Sequence, residues 1–122
     1  MRAVAVALTT FATVALLTAC GSGGGSQPAG SIAVKMTEFS YSPDTVSVPA
    51  GKVTFWLVNS GSAAHDLIIR DGNNNRVAAS ELIQAGNSEA FTVDNLAAGQ
   101  YTFFCDQPGH EQSGMKGKLT VT

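Results

Sequence analysis

From Ser31 to the last residue, apolar and polar side chains alternate with period two, and Gly, Pro, Asn and Asp interrupt the alternation about every eight to twelve residues. A chain patterned this way cannot present one apolar helical stripe; it makes short strands that bury every second side chain. Ile32, Val34 and Met36 alternate with Ala33, Lys35 and Thr37, and Thr45 to Val48 gives a second strand closed by Pro49 to Gly51. Val53, Phe55 and Leu57 alternate with Thr54, Trp56 and Val58, a strand expected to be buried on one face and partly covered on the other. Asn59 to Ser62 turns the chain into a fourth strand, His65 to Arg70, which ends at the turn signal Asp71 to Asn75. Val77 to Gln84 is expected to hold a short strand and then one helical turn at Ser80 to Ile83, capped by Ser80. Glu89 to Val93, Gln100 to Cys105 and Lys116 to Thr122 supply the last strands. The expected fold is all-β, a Greek-key β-sandwich of about eight strands over residues 31–122, with at most one short helical turn.

The first thirty residues are of another kind. Arg2 is followed by an uncharged run from Ala3 to Ala19, close in length to a membrane span and equally suited to a signal segment. The run ends in Leu17 to Cys20, which resembles the lipobox of bacterial lipoproteins and implies removal of residues 1–19 and lipidation of Cys20. Residues 20–30 then form a Gly/Ser-rich tether, whose glycines precede no strand-to-helix unit and so make a linker and not a nucleotide site. The globular part is therefore expected outside the cytoplasmic membrane, anchored to it by an N-terminal lipid. Removing Arg2 with the signal segment leaves six basic residues against nine acidic ones, a balance that argues against a nucleic-acid partner.

With Cys20 acylated, Cys105 has no partner for a disulfide. An unpaired thiol in an oxidising compartment survives when it is buried or occupied. It ends a strand, His110 follows five residues later, and Met115 follows five after that, just before the next strand. Pro108 and Gly109 set a turn before His110, and Gly114 permits a close approach before Met115. His65, the other of the two histidines, begins a strand at the same kind of sheet edge. Taken singly, a histidine, a cysteine and a methionine are usually surface or packing residues. Together, one thiolate, two imidazoles and a thioether suit copper in a trigonal electron-transfer site, whereas zinc is more often met by several cysteines or by carboxylates.

These residues carry a family resemblance. His65-Asp66, the segment Tyr101 to Cys105, Pro108 to His110 and Gly114 to Val121, with Phe39 to Pro43, Val48 to Gly51 and Val53 to Asn59 upstream, resemble a cupredoxin, a single-domain blue copper protein, over essentially all of residues 31–122. Within that family the Cys-x4-His-x4-Met loop is most similar to the auracyanins. The resemblance implies one copper bound strongly by His65, Cys105 and His110 and weakly by Met115. Asp66 stands where relatives often have an Asn that ties the two ligand loops together, which puts that hydrogen bond in question. Asp106 stands where a neutral residue is common, and its carboxylate lowers the reduction potential if it is ionised and unscreened.

The implied function is electron carriage and not catalysis, since all four ligand positions are filled by protein. Electrons are expected to pass through the exposed edge of His110, with Ala63, Ala64, Pro108 and Gly109 as a small docking patch for redox proteins of a respiratory or photosynthetic chain. The expected carrier is a monomer. A copper-binding or delivery protein is the alternative; it would hold the metal at an open, exchangeable site. A copper enzyme would need further histidines.

Overall fold

The computed structural model describes residues 25–122, so the expected signal segment, Cys20 and the first part of the tether lie outside the described residues. Among the described residues nine strands follow in order: β1 (Ile32–Thr37), β2 (Ser40–Ser42), β3 (Thr45–Val48), β4 (Gly51–Asn59), β5 (Ile68–Arg70), β6 (Arg76–Ala79), β7 (Ser88–Leu96), β8 (Gly99–Phe104) and β9 (Lys116–Val121). They form two sheets, ordered β2-β1-β4-β7 and β3-β9-β8-β5-β6. β1 runs parallel to β4 and β3 parallel to β9, while the other pairs are antiparallel. Parallel neighbours need crossovers. After β1 and β2 the chain therefore leaves one sheet, places β3 at the edge of the other, and returns as β4, the connectivity of a Greek-key sandwich.

The core follows the alternation. Val34 and Met36 from β1, Val53, Phe55 and Leu57 from β4, and Phe91 from β7 face Val46, Phe103, Leu119 and Val121 of the opposite sheet within one apolar cluster. Each such side chain, fully buried, stabilises the fold by about 1.5–3 kcal/mol before the entropy of ordering is subtracted. Trp56, on the other face of β4, is also buried, as the sequence of that strand suggested.

The helical turn at Ser80 and the start of the fourth strand are corrected. No helical turn forms at Ser80 to Ile83; that segment is extended and pairs with the chain around His65, with His65 N–H donating to Ile83 O (3.1 Å) and Ile83 N–H to His65 O (2.8 Å). Ser80 caps nothing, because its hydroxyl oxygen accepts from Leu67 N–H (2.9 Å) while its own N–H donates to Leu67 O. This exchange also explains why the fourth expected strand begins at Ile68 and not at His65. The ninth strand, β2, is three residues long, too short for alternation to reveal it; its central Tyr41 enters the core and meets Phe103 edge-on at 5.1 Å.

In β9, packing requires a glycine. A Cβ on Gly117 in β9 would stand 2.4 Å from Asp44 O and closer still to the Phe103 ring. β9 can therefore pass under Phe103 only without a side chain there.

Candidate metal centre

Cys105 immediately follows β8 and Met115 immediately precedes β9, so the sheet holds both ends of the intervening loop. The two ends are also joined directly, Cys105 N–H donating to Met115 O at 3.1 Å. Inside the loop, Gln107, Pro108, Gly109 and His110 make a turn closed by His110 N–H to Gln107 O (3.0 Å), with Gly109 at φ +81°. Proline at the second position and a positive φ at the third are the demands of a type II turn, which explains the Pro-Gly pair. Met115 N–H then donates back to His110 O at 3.0 Å, and Gly114 adopts φ +107° to allow it. Gly109 thus serves the expected turn, whereas Gly114 serves by its positive φ and not by a close approach, since a Cβ there would stand 3.9 Å from its nearest neighbour, Phe39 O.

Three donor atoms converge. His65 Nδ1 lies 3.2 Å from His110 Nδ1, and Cys105 Sγ lies 3.9 Å from the first and 3.5 Å from the second. A point equidistant from all three is about 2.1 Å from each, a bond length from a first-row metal to nitrogen and slightly short of one to sulfur. Two nitrogens and a sulfur at that spacing fit a copper ion, and the softness of the set favours it. His65, Cys105 and Met115 are completely or almost completely buried, whereas His110 is half-buried. Burial pushes the Cys105 thiol above its ordinary value, so the thiolate form depends on a cation beside it.

The surrounding groups tie the His65 segment to the Cys105 loop. Asp66 Oδ1 accepts from Asp106 N–H at 2.7 Å, so the bond that the aspartate put in question is made. Tyr41 donates its hydroxyl to Asp66 O at 2.7 Å, and burial keeps that phenol protonated. Asp106 itself points to Arg76, which pairs with its carboxylate, so its charge is screened. Arg70 pairs likewise with Glu111, and both guanidinium groups lie over the Phe104 ring, at 4.3 and 5.8 Å from its centre.

Of the proposed docking residues, Ala63 and Ala64 are half-buried beside His65, and Pro108 and Gly109 are exposed beside His110. Sequence reasoning missed three further residues. Asn59, 1% exposed, donates from Nδ2 to the carbonyls of Ala63 (2.9 Å) and Ile83 (2.8 Å) and accepts from Gly61 N–H (3.0 Å), knitting the loop before His65. Phe39, 43% exposed, meets His110 edge-on at 5.3 Å. Glu38 Oε1 accepts from the N–H groups of Ser62 (2.7 Å) and Ala63 (2.8 Å) and stands 3.3 Å from His65 Nε2. The Ala63 and Ser62 N–H groups hold the Glu38 carboxyl down to about 2. An unusual φ of +63° at Phe39, rare for an aromatic residue, was the available signal of a constrained turn, but it is visible only in the structure.

Comparison with known proteins agrees with this geometry. The family profile of the Cupredoxin-like domain matches residues 5–121. Auracyanin-B of Chloroflexus aurantiacus is 44% identical over 48 residues, 39% of this chain and 20% of that protein, so the match spans about a fifth of that relative's length. Plastocyanin of Daucus carota is 33% identical over 86 residues, 67% of this chain and 87% of the relative. The crystal structure of dithionite-reduced auracyanin from the photosynthetic bacterium Roseiflexus castenholzii superposes with a TM-score of 0.68 at 27% identity, covering 75% of this chain and 96% of that one.

Proposed function

The chain belongs to the cupredoxin family, with His65, Cys105, His110 and Met115 arranged as a type 1 copper site, and from that premise we propose that it is a membrane-tethered carrier of single electrons. The observation that carries this reading is the contrast within the donor set: three donor residues are sealed in the core, and the fourth, His110, keeps an edge at the surface. Bound there, copper supplies a one-electron couple.

The residues supply the rest. In this assignment His65, Cys105 and His110 would hold copper strongly and Met115 would hold it weakly. Rapid transfer requires that the donors move little when charge changes. The Asp66 to Asp106 bond, the Cys105 to Met115 bond and the Asn59 network hold them from three sides. Electrons enter and leave through the His110 edge, around which Pro108, Gly109, Ala63, Ala64 and the Phe39 ring form a weakly polar contact surface suited to brief encounters. The partners are redox proteins of a respiratory or photosynthetic chain, reached at the outer face of the cytoplasmic membrane, where lipidated Cys20 holds the monomeric carrier.

Electron self-exchange between oxidised and reduced copies tests the contact surface without a known partner. Pro108→Glu places like charges opposite one another in the encounter, so at low salt the exchange rate should fall by about tenfold, recover at high salt, and leave the visible spectrum as it was. An unchanged rate would remove Pro108 and its neighbours from the transfer route.

A further inference from the structure

The turn between β1 and β2 touches both histidines. Thr37 pairs with Ser40, leaving Glu38 and Phe39 as a two-residue loop. Phe39 packs on His110, and Glu38 reaches His65 from the side opposite the thiol. A carboxylate only accepts hydrogen bonds, so the His65 nitrogen facing it, Nε2, carries the proton and Nδ1 presents its lone pair toward Cys105 Sγ. Oxygen Oε1 is pinned by two backbone N–H groups, which leaves it little freedom to turn away. Gly61 makes the room: a Cβ there would stand 2.4 Å from Oε1.

We propose that Glu38 is a positioning residue of the metal centre, which fixes the tautomer and orientation of His65 and, through its negative charge, lowers the reduction potential of the bound copper. A carboxylate hydrogen-bonded to a metal-bound imidazole makes that ligand more basic. The more highly charged oxidation state gains most from a basic ligand and a nearby anion. Glu38 thus favours oxidised over reduced copper at His65. The inference rests on the copper reading of the preceding subsection and adds to it a residue outside the ligand loop.

Two substitutions separate the charge from the contact. Glu38→Gln retains a carbonyl oxygen for the Ser62 and Ala63 N–H groups and removes the charge. Gly61→Ala retains the charge and pushes Oε1 off His65. In the copper-loaded full chain, Glu38→Gln should shift the ratio of Cu(II) to Cu(I) affinity by about tenfold toward Cu(I), a rise of about 59 mV for one electron. Gly61→Ala should move the potential the same way by a smaller amount. A change under twofold for Glu38→Gln, about 18 mV, with the thiolate absorption intact, would overturn the proposal and leave the copper site standing.

A metal-free measurement stands apart from both variants. In the nitrogen-15 spectrum of the apo chain, His65 should be the Nε2–H tautomer with a proton bonded to the Glu38 carboxylate. An Nδ1–H tautomer would overturn the proposal even if Glu38→Gln failed to fold. Absence of thiolate absorption from the copper-loaded wild-type chain would instead count against the copper reading, with the apo tautomer still deciding the Glu38 contact.

Discussion

Replacing Asp66 tests whether the two ligand segments are held together before any metal arrives. Asp66 is 7% exposed, and its Oδ1 accepts from Asp106 N–H at 2.7 Å, across forty residues of sequence. Asp66→Ala deletes that acceptor and keeps the backbone carbonyl on which Tyr41 depends. A hydrogen bond to a charged group contributes roughly 1.5–3 kcal/mol, and because the Asp106 end is partly open to water the loss should be about 2 kcal/mol. In a domain of this size that is a fall in melting temperature of roughly 8–16 °C. Asp66→Asn keeps an oxygen that can accept the same N–H, so its cost should stay below about 1 kcal/mol. Urea denaturation of the copper-free protein measures both, and an unchanged slope would show that the midpoint shift reflects stability alone. An Ala variant within about 0.5 kcal/mol of wild type, or an Asn variant as unstable as the Ala variant, would refute the reasoning.

Two further outcomes are expected. Gly117→Ala forces its Cβ against Asp44 O and the Phe103 ring; overpacking costs roughly 1–3 kcal/mol, and disturbing the bond from Lys118 N–H to Asp44 O adds about 1, which thermal denaturation would register. Met115→Gln should keep an intense or nearly intense blue colour with a shifted potential in voltammetry, since the three strong donors are untouched; loss of the colour would mean that Met115 is more than a weak ligand.

The legible and illegible parts of the sequence divide by distance along the chain. β1, β4, β7, β8 and β9 could be read because alternation is a local property and each runs for six residues or more. The donors of one loop, Cys105, His110 and Met115, announced themselves by spacing, and His65 by scarcity, there being two histidines. Ser80 misled because serine favours helix caps, and only pairing with the distant Leu67 overrides that preference. Glu38 and Asn59 were invisible for the same reason: their bonds to the His65 loop and its neighbour span up to 27 residues, and an isolated Glu or Asn carries no local sign of its target. The Arg76 partner of Asp106 lies thirty residues away, so the screening of that carboxylate also had to wait for the fold.

The central claim is that Cys105, held between His65 and His110, is a copper ligand. Visible absorption and electron spin resonance of the chain loaded with copper(II) test it most directly. The expected result is an intense band toward the red end with narrow copper hyperfine splitting, abolished by Cys105→Ser. A pale, ordinary copper spectrum, or a Cys105→Ser protein that stays blue, would contradict it.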